Sequence, residues 1–153
     1  MNNVKHSISN RFPALNVTND GSSAIYLNNI PNTPVAPSYL SQVVIAGETA
    51  YLSGQIAIDP VTDEMVSGGF EVEAEQVFNN IEETLRGIGL SFANIVKVSV
   101  YLTNLDKLPA FNEIYRHRMG GCRPAREAVE VNRLDLGATV EVTVTAFYPG
   151  GFS

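Results

Sequence analysis

The chain of 153 residues has one cysteine, Cys122, two histidines, His6 and His117, and no tryptophan. A lone thiol excludes an intrachain disulfide, and a reducing, cytoplasmic setting is expected. His117 and Cys122 stand near each other in sequence, but the third and fourth ligands of a zinc site are missing, so no metal is expected. The plain reading is a helix-surface His117 and a loop Cys122. No apolar run approaches the roughly 20 residues that cross a bilayer. The opening segment, residues 1–12, lacks the apolar centre of a secretory signal. Cations are also scarce. Lys and Arg number 10 against 16 Asp and Glu, a net charge of −6, which argues against nucleic acid as a partner because phosphate binding needs a basic footprint. Ser53 precedes Gly54 without forming a Gly-x-Ser-x-Gly elbow, and Gly47, Gly54, Gly68 and Gly69 do not space a phosphate loop or dinucleotide fingerprint. No nucleotide cofactor is expected.

What is present is a globular pattern, with 44% hydrophobic and 17% charged residues. Residues 1–36 are rich in asparagine, from Asn2 to Asn32, are punctuated by Pro13, Pro31 and Pro34, and have no apolar period. They read as an N-terminal arm with a short strand near Ala24–Leu27, ahead of a domain over 37–153. From Gln42 the pattern is regular. Val43–Ala46, a Gly47-Glu48 turn and Thr49–Ser53 predict a hairpin. Asp59-Pro60-Val61-Thr62-Asp63 predicts a turn in which Asp59 accepts from backbone two residues on. Ala74, Val77, Phe78, Ile81, Leu85 and Ile88 form the stripe of a first helix. A strand follows over Ile95–Leu102, with Val96, Val98, Val100 and Leu102 on one face and Ile95, Lys97, Ser99 and Tyr101 on the other. A second helix spans Leu108–Met119, with Asp106 as its expected cap. Arg126–Val131 and Thr139–Phe147 complete the strands.

The order predicts an α+β fold, a mixed sheet with two helices on one face. The other face carries apolar among polar residues, so it is expected to meet another subunit. The polar residues that could carry chemistry sit on the last two strands. Arg126 opens a strand and can grip a carboxylate in a bidentate fork. Glu141 lies between Thr139 and Thr143 and can act as a base or hold a water. The structural alternative is that these two residues simply pair with each other or with solvent.

Four ordered segments carry a resemblance: Ser53-Gly54-Gln55-Ile56-Ala57-Ile58-Asp59-Pro60, Val77-Phe78-Asn79-Asn80-Ile81, Asn94 through Leu102, and Pro124-Ala125-Arg126-Glu127-Ala128-Val129-Glu130-Val131. Together they resemble the RidA/YjgF family of reactive-intermediate deaminases, also known as endoribonuclease L-PSP. The resemblance implies a chorismate-mutase-like fold and a homotrimer with clefts between subunits. It implies hydrolysis of enamines and imines such as 2-aminoacrylate and 2-iminopropanoate to a 2-oxo acid and ammonia, with no metal or cofactor. By this resemblance Arg126 binds the substrate carboxylate and Glu141 positions the water. Ser53, Gly54, Asn112, Tyr39 and Ala128 line the pocket. Three positions depart from the family pattern. Ala128 stands where a cysteine is usual, Glu127 where Ser or Thr is usual, and Leu40 where a tyrosine falls, with Tyr39 beside it. Strand alternation aims Glu127 away from Arg126. Two other readings accompany the deaminase. One is a non-catalytic or substrate-shifted member that binds a small carboxylate, or acts on an aminomuconate-like enamine. The other is the ribonuclease of the family name, against which the net charge and the lack of a histidine pair both argue.

Overall fold

The computed structural model describes residues 16–18 and 24–151. Strands β1 (Asn16–Thr18), β2 (Ala24–Asn28), β3 (Val43–Ala46), β4 (Thr49–Leu52), β7 (Ile95–Leu102), β8 (Ala125–Glu130) and β9 (Val140–Phe147) form one sheet in the order β1-β2-β3-β4-β9-β7-β8. Two-residue strands β5 (Ile58–Asp59) and β6 (Glu64–Met65) make a separate hairpin. The β7–β8 pair is parallel and the other pairs of the large sheet are antiparallel. Helices α1 (Phe70–Gly87) and α2 (Leu108–Met119) cover one face. The fold is therefore the expected mixed α+β arrangement. The α2 crossover supplies the long connection that a parallel pair requires.

The core lies between the helices and the sheet. The whole predicted stripe of α1 is buried, and Phe78 packs with Phe92, Phe111 and Tyr115 at ring separations of 5.7–6.3 Å. Of these rings Phe78 and Phe111 are fully buried, each contributing about 2–3 kcal/mol. Arg118 of α2 reaches Glu75, Asn79 and Glu82 of α1 and ties the two helices together.

Two local expectations are corrected. In β7 the apolar face comprises Ile95, Val98, Val100 and Leu102, while Val96 is half exposed. A register shift between Ile95 and Lys97 breaks the alternation there, as an extra residue in one strand does. Asp106 does not cap α2. It lies in a 3₁₀ turn, Leu105–Lys107, whose cap is Asn104, with the Asn104 side chain accepting from the Asp106 N–H at 2.9 Å. The Asp59 turn forms as expected, with its carboxylate accepting from the Val61 N–H at 2.7 Å.

The short strand expected near Ala24–Leu27 is β2, and it pairs with β3. Gln42 fastens the segment that follows it. Its buried amide donates to Thr33 Oγ1 and the Pro34 carbonyl at 2.6 and 2.8 Å, and its Oε1 accepts from the Ile30 N–H at 2.9 Å. Residues 24–34 thus share the sheet and core of the residues after 37. The expected arm before residue 24 lies, β1 apart, outside the described residues.

Candidate active site

β7 is the ruler for both chemical candidates. Arg126 on β8 pairs with Val98, and Glu141 on β9 pairs with Tyr101. Val98 is buried on the helix-covered face, and Tyr101 alternates onto the open one. Paired residues share a face. Arg126 and Glu141 therefore stand on opposite faces of the sheet, and within one chain they do not pair with each other.

Arg126 belongs to a cleft of about 460 Å3 between the end of α2 and the start of β8. Gly120 and Gly121, with φ of 57° and 97°, end the helix and turn the chain back toward the sheet. Only residues tolerant of the left-handed region hold that turn without strain. The Arg126 guanidinium lies 4.6 Å from the centre of the Tyr115 ring, a stacking distance that holds its plane. Among the described residues no carboxylate lies within ion-pair distance of it. Burial holds the Tyr115 hydroxyl above its ordinary pKa, with the Arg126 charge working in the other direction. Asn112 lines the same cleft, and its Oδ1 is buried without a hydrogen-bond partner among the described residues. Such an acceptor costs about 1–3 kcal/mol until a donor reaches it. Ala128 shares the face of Arg126, opposite Val100.

Glu141 stands with Gly54 and Ser53. Gln55 bridges to Val142 through paired backbone bonds of 2.8 and 3.0 Å, which carries Gly54 past β9. A Cβ on Gly54 would collide with the Glu141 carboxylate and come within 3.1 Å of Thr143 Oγ1. Glycine is thus the residue that lets this backbone lie against the acid. The buried Asn80 of α1 anchors the strand beyond, donating to the carbonyls of Ile56 and Ile58. Ser53 Oγ is committed to the Ser41 carbonyl at 2.6 Å. Burial, and then the charge of Asp135, push the Glu141 carboxyl above its ordinary pKa.

The expected residues therefore fall into two groups. Arg126, Asn112 and Ala128 lie on the helix side, and Glu141, Gly54 and Ser53 lie on the open side. Tyr39 belongs to neither within the chain; it is 85% exposed in a turn closed by the Leu40 N–H and the Pro37 carbonyl. Glu127 faces away from Arg126, onto the open face, where Lys97 and Ser99 donate to it and hold its carboxyl below the ordinary range. Around these two groups lie further exposed or part-exposed residues of the open face, Tyr26, Tyr51, Tyr101, Thr145 and Phe147.

Sequence reasoning missed four participants. Tyr115 lies within the expected second helix with nothing in the sequence to mark it out, and Cys122 reads only as a loop residue. Arg123 has a signal in its place three residues before Arg126. Asp135 has none, since its effect on Glu141 depends on how the Asp135–Gly137 turn folds. Among the described residues no group of three His, Cys, Asp or Glu could hold a metal. No described helix is long and apolar enough to cross a membrane.

The family model for endoribonuclease L-PSP matches residues 30–148. A RutC family protein of Pyrococcus horikoshii is 37% identical over 123 residues, covering 80% of this chain and 95% of its own. The 2-iminobutanoate/2-iminopropanoate deaminase of Rattus norvegicus is 38% identical over 113 residues, covering 74% of this chain and 82% of its own. The crystal structure of RidA from an Antarctic Psychrobacter superposes with a TM-score of 0.72 at 38% identity, over 76% of this chain and 94% of that one.

Proposed function

Because the chain belongs to the RidA/YjgF, or endoribonuclease L-PSP, family, we propose that it hydrolyses 2-imino acids and their enamine tautomers to 2-oxo acids and ammonia. We propose further that it does so as a homotrimer whose clefts join one subunit's Arg126 side to the next subunit's Glu141 side. The observation that carries this reading is the opposition of the two residues across the sheet. A cation and an acceptor without partners among the described residues are half of a site, and so is a half-buried acid against a glycine wall. Neither half reaches the other within one chain. A second copy offers both halves in complementary positions, and closed symmetry repeats the match.

In this reading Arg126 holds the substrate carboxylate, and Tyr115 keeps the guanidinium oriented. Asn112 Oδ1 accepts from the imine N–H, which satisfies the orphaned oxygen. Glu141 takes a proton from a water as its oxygen bonds to the imine carbon. The C=N π bond breaks and its electron pair goes to nitrogen, which is protonated. The carbinolamine then collapses, the C–N bond breaks, ammonia leaves and the carbonyl forms. The imine is already electrophilic, so positioning and one proton relay suffice. The raised proton affinity of Glu141, from burial first and the Asp135 charge second, makes it a stronger base than an exposed carboxylate.

The test generates 2-iminopropanoate and 2-iminobutanoate with a pyridoxal-phosphate dehydratase in the presence of semicarbazide. Accelerated 2-oxo acid release by the protein, lost in Arg126→Ala, is expected. No acceleration by the wild type, or full activity in Arg126→Ala, overturns the reading. Tight calorimetric binding of 2-oxobutanoate without turnover would instead favour a carboxylate-binding module.

A further inference from the structure

The cleft around Arg126 holds more positive charge than one carboxylate needs. Three arginines line it: Arg116, Arg123 and Arg126. Arg116 is paired with Glu113, its Nη1 donating to both carboxylate oxygens at 2.8 Å. Arg123 is exposed and, like Arg126, has no carboxylate partner among the described residues. Two unpaired guanidiniums thus border one cleft on a chain whose net charge is −6. Like charges brought together in a concave site raise its potential and favour an anion carrying more than one charge. Only Pro124 and Ala125 lie between them, so over three residue steps their Cα atoms are at most about 11 Å apart. Flexible arginine side chains can close from that span onto the two ends of a short dicarboxylate.

The rest of the cleft agrees with such a ligand and with a fixed orientation for it. Arg126 is held on Tyr115, and Asn112 Oδ1 is an acceptor waiting for a donor on the same wall. Arg123 sits where the chain emerges from the Gly120-Gly121 turn, at the outer part of the cleft. Resting on the deaminase reading above, we propose that the preferred substrate is an imino dicarboxylate: its 2-carboxylate on Arg126, its imine N–H on Asn112 and its distal carboxylate on Arg123. Arg123 is then the specificity residue, and the substrates are of the four- to five-carbon 2-imino diacid type.

The experiment compares 2-iminosuccinate and 2-iminoglutarate, made in situ from aspartate and glutamate by amino-acid oxidases, with 2-iminopropanoate. The expected wild-type kcat/KM is higher for the diacids. Arg123→Gln lowers the diacid-to-monoacid ratio about 10- to 100-fold, the worth of a charge-assisted fork, and Arg123→Lys restores part of it. In parallel, calorimetry compares 2-oxoglutarate with 2-oxobutanoate and reads the same preference without turnover. Turnover of 2-iminopropanoate with a ratio that Arg123→Gln leaves unmoved overturns the dicarboxylate proposal and leaves the deaminase reading intact. No turnover of any imine overturns the deaminase reading. In that case, Arg123-dependent binding of 2-oxoglutarate still supports the second anion site, and its absence rejects it.

Discussion

Arg126 and Glu141 are each registered on β7, three residues apart at Val98 and Tyr101, and they look out from opposite faces of the sheet. If each site takes its arginine from one subunit and its acid from the next, inactive variants should complement one another. Arg126→Ala and Glu141→Ala, each silent alone, are unfolded together and refolded as a mixture. Random assembly leaves about one site in four with both residues intact. Recovery of activity toward that fraction is expected, and a mixture as inactive as its parents would show that the two residues act within one chain.

The Glu141 carboxyl is held above its ordinary pKa of 4.5 by burial first and the Asp135 charge second. The sign follows from proton binding. Above that ordinary value the folded chain keeps a proton that the unfolded chain has released. Stability therefore falls as pH rises through the window from 4.5 to the raised value. Glu141→Gln is neutral throughout and escapes the cost. Its melting temperature should exceed the wild type's at pH 7, and the gap should narrow near pH 4. A gap independent of pH would assign the effect to packing instead.

Gly54 tests the close approach to the acid. A Cβ there collides with the Glu141 carboxylate, and Gly54 is exposed, so the clash can relax outward by displacing the acid. Gly54→Ala is expected to lower kcat at least about 10-fold, as misplacing a proton-transfer group does, while circular dichroism stays unchanged. Wild-type kcat in this variant would separate Glu141's position from the chemistry.

Gln42 tests the fastening of the segment after β2. Its side chain satisfies the Ile30 N–H and uses both of its own amide hydrogens on Thr33 and Pro34. Gln42→Leu strands a buried donor and should cost about 2–4 kcal/mol in urea unfolding. A cost under about 0.5 kcal/mol, the range of ordinary surface substitutions, would mean that the segment is held by its strand pairing alone.

Much of this architecture was legible because apolar spacing reports which side of an element is buried. Every stripe position of α1 is in the core, and β3, β4, β7 and β9 lie within a residue of their expected spans. The misreadings share one cause. Val96 was assigned by alternation, and a register shift beside it is a property of two paired strands. Asp106 was assigned by residue type, and the neighbouring Asn104 reached the free N–H first. For the site, the types at Arg126 and Glu141 were readable. Their opposition across the sheet was not, because it depends on β8 running parallel to β7 and on which β7 residue each strand meets. The direction of Glu127 was readable, since alternation within a strand is local.

That dependence on register bears on how the chain can change length. Arg126 and Glu127 are neighbours of opposite charge on opposite faces, and the Gly120–Pro124 connection sets which of them enters the cleft. A one-residue slip of β8 along β7, the shift that an insertion or deletion in that connection can impose, would exchange the two. The cleft would then present a carboxylate where it now presents a cation, and it would repel an anion. Loops usually accommodate indels freely. In this connection a change of length matters only through the register of β8, which decides the sign of the charge in the cleft.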